Sequence, residues 1–217
     1  MPDGSALPPL FFLTARSLGA AMPGCPDPAA WVEALRAACV RFAVTSPRRL
    51  AHFVAQVGHE SGDLTRLSEN LNYSPAGLRA VFPSRVPEWL AQRIGRAPGR
   101  KADEAAICEA VYGGRLGNRA PGDAFAYRGA GIIQLTGLDN HAACAEAFGL
   151  PTCDVPAFLR TKAGAALGAA WWWQAHGCNE LADAGDPDAV SRRVNGGDNG
   201  LADRRQRYAL ARQAFGA

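Results

Sequence analysis

Apolar residues recur along most of this chain at the spacing of a helix rather than that of a strand. Leu50, Phe53, Val54 and Val57 stand at i, i+3, i+4 and i+7, the stripe that an amphipathic helix buries. Ser46-Pro47 supplies an N-cap and a first-turn proline for it, and Ser61-Gly62 ends it. Trp31, Leu35 and Ala38 share one face of an earlier helix over residues 28–41. Asn72-Tyr73-Ser74-Pro75 opens a third helical stretch, which Pro83 and Pro87 break and Trp89-Leu90 resumes. Residues 96–101, rich in Gly, Pro and Arg, read as a loop, and residues 103–112 as a helix. Gly113-Gly114, Gly117-Asn118 and Pro121-Gly122-Asp123 then mark turns. Gly131-Ile-Ile-Gln-Leu-Thr136 is the one convincing strand-like run. An Ala-rich helix over 161–175 carries Trp171, Trp172 and Trp173. The stretch Asn195–Gly200 is a tight-turn loop, and a last helix covers 201–214. The predicted fold is mainly α, with at most a small β-hairpin.

Composition narrows the class. At 217 residues one domain is the default, here 28–217 after an N-terminal extension over 1–27. Hydrophobic residues at 48% supply a core, and 20% charged residues exclude a disordered chain or a membrane protein. The net charge of +3 is too small to argue for nucleic acid. No run reaches the ~18 apolar residues of a membrane helix. The apolar stretch Leu7–Ala15 follows Asp3, has no basic n-region and meets Arg16, so a cleaved signal peptide is not expected. The six cysteines form no C-x-x-C pair, and small buried thiols are the favoured reading over disulfides.

Glu60 is the first candidate for chemistry. It lies three residues after Val57, at the C-terminal end of the apolar stripe. Desolvation there and the negative end of the helix dipole both favour the neutral acid, as a glycosidase general acid requires. Glu69 follows nine residues later, where two carboxylates across a short turn suit glycoside hydrolysis. The rival reading of Glu60 is a helix-end residue turned out to solvent, and Glu69 taken alone reads as a solvated loop residue. His59-Glu60 invites a zinc reading, but the second His of H-E-x-x-H is absent. His52, His141 and His176 form no metal spacing either. Gly129-Ala-Gly131 lacks the Lys of a phosphate loop and reads as a turn where backbones approach closely. Of the three consecutive tryptophans, at least one belongs to the core. In the last helix Arg204 falls within the apolar stripe of Leu201, Tyr208, Ala211 and Phe215. An inward Arg needs a partner, and a carboxylate of the site is the natural one. Arg205, Arg207 and Arg212 read as a solvated basic face.

Several motifs, in order, resemble glycoside hydrolase family 19. They are Ala55-Gln-Val-Gly-His-Glu-Ser-Gly62, Glu69-Asn-Leu-Asn-Tyr73, Tyr127-Arg-Gly-Ala-Gly-Ile-Ile-Gln-Leu-Thr-Gly137, Asn195-Gly-Gly197 and Ala202-Asp-Arg204. The match covers roughly residues 28–215 and is closer to the family's endolysin and prophage lysozyme-like members than to its plant chitinases. The resemblance implies a two-lobed lysozyme-like fold and an inverting mechanism without cofactor or metal. It implies Glu60 as general acid, Glu69 as general base and Thr136 as the hydroxyl that holds the attacking water. His59, Tyr73, Tyr127, Gln134, Asn140 and Asn195 match substrate-binding positions, and Arg204 an Arg beside the acidic pair. Ala130 departs from the pattern, where an Arg is common. The expected substrate is peptidoglycan; a chitinase and a non-catalytic wall-binding module are the rival readings. The endolysin resemblance further implies a monomer that acts on the cell wall, in the periplasm of a Gram-negative host, with a holin-type partner for export and no nucleic-acid partner.

Overall fold

Ser46 and Gly62 bracket the helix that organises the first part of the molecule. The Ser46 hydroxyl accepts the Arg49 N–H at 3.1 Å, Pro47 starts the helix, and Gly62, at φ +57, turns it off in the left-handed region. The structure is a computed structural model that describes residues 10–217. Leu7, Pro8 and Pro9 of the apolar N-terminal stretch, and so much of the signal-peptide question, lie outside the described residues.

Thirteen α-helices follow one another among the described residues, with one short 3-10 helix at Thr152–Asp154 between the eighth and ninth. They are α1 (Ala15–Ala21), α2 (Ala29–Arg41), α3 (Pro47–Ser61), α4 (Pro75–Val81), α5 (Glu88–Ile94), α6 (Glu104–Tyr112) and α7 (Asp123–Ala126). Then come α8 (Leu138–Phe148), α9 (Val155–Leu159), α10 (Lys162–Ala175), α11 (Cys178–Ala184), α12 (Pro187–Asn195) and α13 (Leu201–Phe215). The described residues contain isolated β-bridges but no strand. The chain divides into two compact units. One comprises the chain up to Leu67 with Gly131–Ile133 and Thr161–Ala217, the other Ser68–Ala130 with Gln134–Arg160.

In the first unit α3 is the central helix. Leu50, Phe53, Val54 and Val57 are all buried, as their spacing requires. Each contributes about 1.5–3 kcal/mol of hydrophobic free energy. Helix α13 packs along α3, α1 packs on α13, and α10 packs on α2. Of the three tryptophans, Trp173 is the core residue. It meets Phe53 edge-on at 5.4 Å, and its indole N–H donates to Asn179 Oδ1 at 2.9 Å, so the polar atom of a buried ring is satisfied. Helix α1 falls within the stretch read as an extension; Thr14 and Ser17 form a capping box and Leu18 is fully buried.

The second unit has its own core. Leu71, Leu78, Val86, Ala91, Ile94, Ile107 and Val111 bury together from α4, α5, α6, the segment before α4 and the connection between α4 and α5. Asp103 caps α6 through the Ala106 N–H, and Ser74 caps α4 through the Gly77 N–H. Residues 131–136 are not a strand. Gly131 at φ +79 and Gln134 at φ +51 fold the segment back on itself, and an Ala130–Leu135 bridge closes the turn. Ile132 and Leu135 are buried from within that turn, which is why the sequence looks like a strand. Five of the six cysteines are buried free thiols; Cys153 is exposed.

Candidate active site

The residues singled out from the sequence fall in both units. His59, Glu60, Asn195 and Arg204 belong to the first. Glu69, Tyr73, Tyr127, Gln134, Thr136 and Asn140 belong to the second.

In the first unit Glu60 occupies the last turn of α3, with its side chain 24% exposed. The inward Arg204 of α13 meets it. Arg204 Nη2 lies 2.5 Å from Glu60 Oε1, and the arginine side chain is 1% exposed. The pair is charge-assisted and fixes the carboxylate against the guanidinium. The other Arg204 Nη donates to Gln56 Oε1, one turn back along α3. Arg204 thus has the carboxylate partner that its place in the apolar stripe requires.

The chain after Glu60 is held under strain. Gly62, Asp63 and Leu64 are successively left-handed, at φ +57, +58 and +65. For the two non-glycine residues this costs of order 1–3 kcal/mol each and persists only where the surroundings enforce it. Here they do. Ser61 Oγ donates to Val57 O and accepts the Leu64 N–H at 2.8 Å, and the Asp63 N–H returns to Gly58 O at 2.8 Å. Asp63 also accepts the Gly24 N–H at 2.9 Å and pairs with Arg207.

His59, beside Glu60, is anchored rather than free. Its Nδ1 lies 2.6 Å from Asp203 Oδ2, so Nδ1–H donates to the carboxylate. Arg207 Nε donates to the same oxygen at 2.7 Å. Burial pushes the Asp203 carboxyl up, but hydrogen bonds from His59 and Arg207 outweigh it and hold it below the ordinary carboxylate range. The imidazole edge stands where a Cβ on Gly200 would be, 2.6 Å from its Cε1, so only glycine fits at the start of α13. Arg207, read from the sequence as part of a solvated basic face, is instead half-buried between Asp63 and Asp203. Arg205 does lie outward, paired with Asp188 at 2.5 Å. Asn195 is the exposed last residue of α12.

In the second unit Glu69 is fixed at both oxygens. Tyr112 Oη donates to Oε1 at 2.6 Å, and the Gly129 N–H donates to Oε2 at 3.1 Å. Burial, then the neighbouring Glu69, push the Tyr112 phenol far above its usual range, so it remains a donor. The Glu69 N–H in turn donates to Gly129 O at 3.0 Å. A Cβ on Gly129 would lie 3.1 Å from Glu69 Cβ and 2.9 Å from Gln134 Oε1. The close backbone approach read from Gly129-Ala-Gly131 therefore serves this carboxylate. Thr136 Oγ1 donates to Gln134 O at 2.9 Å, which commits the hydroxyl hydrogen and leaves the oxygen able to accept. Asn140 Nδ2 donates to Thr136 O at 2.7 Å and the Gly137 N–H to Tyr127 O at 2.8 Å, so these four residues form one local framework. The Tyr127 ring leans on the buried His141 at 5.3 Å, and Tyr73 packs edge-on against Phe82 at 5.7 Å. Tyr112 had no signal in the sequence, because its relation to Glu69 spans 43 residues. Gln56 had one: it precedes Glu60 by four, on the same face of α3.

No family model matches the sequence. A protein of Haemophilus influenzae described as a glycosyl hydrolase family 19 domain-containing protein is 37% identical over 181 residues, covering 81% of this chain and 84% of that protein. Among solved structures, chitinase C of Streptomyces griseus HUT6037 superposes with a TM-score of 0.63 at 19% identity, over 95% of this chain and 78% of that one. A bacterial family 19 chitinase gives 0.62 at 18% identity, over 95% and 96%. A class IV chitinase of Zea mays gives 0.53 at 19%, over 92% and 86%. The structural likenesses speak to the fold, and the sequence relative carries the assignment: this chain is a glycosidase that belongs to glycosyl hydrolase family 19.

Proposed function

We propose that the chain hydrolyses the amino-sugar backbone of peptidoglycan by a single displacement. The observation that carries this reading is a pair of carboxylates fixed in different ways. Glu60 is partly buried and paired with a guanidinium, while Glu69 is held by a phenol and a backbone N–H. Two carboxyl groups in unlike environments suit the division of labour between acid and base. Glu60 donates its proton to the glycosidic oxygen as the bond to the sugar C1 breaks. Glu69 takes a proton from a water that attacks C1 from the opposite face, and Thr136 accepts a hydrogen bond from that water. Inversion requires the two carboxyls to work about 6.5–9.5 Å apart. His59, Tyr73, Tyr127, Gln134, Asn140 and Asn195 bind the sugars. The reaction uses no cofactor.

Peptidoglycan is favoured by the endolysin-like motifs and by a net charge of +3, which suits an acidic wall polymer. On this reading the enzyme works as a monomer on the cell wall, delivered by a holin-type partner. A second reading, hydrolysis of chitin, is favoured by the names of the solved structures that share the fold. Reducing-sugar release from purified peptidoglycan and from chitin oligomers, compared at equal mass, separates the two. Faster release from peptidoglycan is expected, and mass spectrometry of the digest then identifies the bond cut. The reverse ranking assigns the chain to chitin.

A further inference from the structure

The Glu60 carboxylate is connected to a buried polar chain that its own chemistry does not require. Gln56 lies one turn before Glu60 on α3, so both side chains rise from the same helical face. The two nitrogens of the Arg204 fork divide between them, one on Glu60 Oε1 and the other on Gln56 Oε1. Gln56 Nε2 then donates to Ser191 Oγ at 3.1 Å, and Ser191 Oγ donates to Pro187 O at 2.7 Å, in the first turn of α12. Gln56 is 4% exposed, Ser191 1% and Arg204 2%. Each hydrogen in the chain has one direction: guanidinium to amide oxygen, amide nitrogen to hydroxyl, hydroxyl to carbonyl. The amide therefore cannot flip without leaving two buried groups unsatisfied.

We infer that Gln56 is a positioning residue for Glu60, acting through Arg204 and itself fixed by Ser191. This rests on the reading of Glu60 as the general acid. An arginine with one acceptor swings about it; with two acceptors four residues apart on one helix it does not. The second acceptor is also neutral. A carboxylate there would take a share of the arginine's charge, whereas an amide orients the fork and leaves that charge to Glu60. A glutamine that merely filled core space would need neither the directed hydrogen bonds nor the contact with Arg204.

The test is a kinetic comparison on whichever of peptidoglycan or chitin oligomers the wild type cleaves. Gln56→Met keeps the volume and removes the amide. It should lower kcat by about tenfold, within the ~10²-fold that a 1 Å misplacement can cost, with little change in KM. Arg204, left with Glu60 alone, should shift the alkaline limb of the pH–rate profile to lower pH. Gln56→Glu places a second carboxylate on Arg204 and should move the same limb to higher pH. Ser191→Ala should lower kcat in the same sense as Gln56→Met, by a smaller factor. Should Gln56→Met not fold, Gln56→Glu and Ser191→Ala still decide. Opposite shifts of the alkaline limb in the two Gln56 variants support the inference, because a packing role would not produce them. Variants that lose melting temperature but keep kcat and the wild-type profile overturn it. Glu60→Gln, assayed beside them, separates the two levels. If it stays active, the acid reading itself is wrong. If it is inactive while the Gln56 variants keep the wild-type profile, only the positioning role is wrong.

Discussion

Tyr112 Oη donates to Glu69 Oε1 at 2.6 Å across 43 residues of chain, and Gly129 holds the other oxygen. The carboxylate proposed as the base thus has a fixed orientation. Tyr112→Phe keeps the ring in the α6 core and removes only this bond. Stability should change by no more than about 1 kcal/mol, the net value of one hydrogen bond. On the active polymer kcat should fall by about tenfold, within the range for a mispositioned catalytic group. The acidic limb of the pH–rate profile should move to higher pH, since a donor to the charged form is gone. An unchanged profile would mean that Tyr112 is only packing.

Arg204 and Arg205 are adjacent in sequence and opposite in setting. Arg204 is buried against Glu60 and Gln56; Arg205 meets Asp188 at the surface. Arg204→Ala should cost about 3 kcal/mol, the scale of breaking a buried pair, and should remove most activity. Arg205→Ala should cost under about 1 kcal/mol. Urea denaturation of the two variants checks this; equal midpoints would contradict the pairing.

His52 gives the fold a pH dependence of its own. Its ring stacks on Tyr208 at 4.1 Å, and neither ring nitrogen has a hydrogen-bond partner among the described residues. Burial, helped by Arg48 and Arg212 and opposed by Asp186, lowers its pKa to about 4. The folded state therefore refuses a proton that the unfolded chain accepts at about 6.5. The stability is fully present above pH 6.5 and falls as the pH drops from there toward 4, by about 2 kcal/mol at pH 5. His52→Phe should flatten that slope while leaving stability at pH 7.5 little changed. Urea midpoints at pH 7.5 and 5 measure it, and an identical loss in wild type and variant would exclude His52 as the cause.

What the sequence made legible were features with a local cause. The stripe from Leu50 to Val57, the cap at Ser46 and the inward place of Arg204 each follow from spacing within one helix. The segment from Gly131 to Thr136 reads as a strand because a short apolar run, Ile132, Ile133 and Leu135, stands there, although its two buried residues, Ile132 and Leu135, are three apart. What bends it is a left-handed Gln134, a conformation that no residue type at that position announces. Tyr112 and Gln56 belong to hydrogen bonds that span 43 and 148 residues, and such relations exist only once the helices are packed. The partnership of Arg207 with Asp63 and Asp203 escaped notice for the same reason: a basic helix face looks solvated until its neighbours are known.

Stereochemistry distinguishes single displacement from its alternatives. With Glu69 activating water, the first-formed product should carry inverted anomeric configuration. Proton NMR during the first minutes of digestion, before mutarotation, reads this directly. Retained configuration or a 1,6-anhydro sugar would rule out the pairing of Glu60 with Glu69 proposed above.

Glu60→Gln is the most direct measurement. The glutamine keeps the side-chain shape and can still accept from Arg204, so the protein should fold. It should melt slightly lower, because the buried guanidinium loses its counter-charge. Turnover of peptidoglycan should fall by at least ~10²–10⁴-fold, the range for losing general acid catalysis. A folded Glu60→Gln protein that keeps more than about a tenth of wild-type turnover, far outside that range, would show that Glu60 is not the acid.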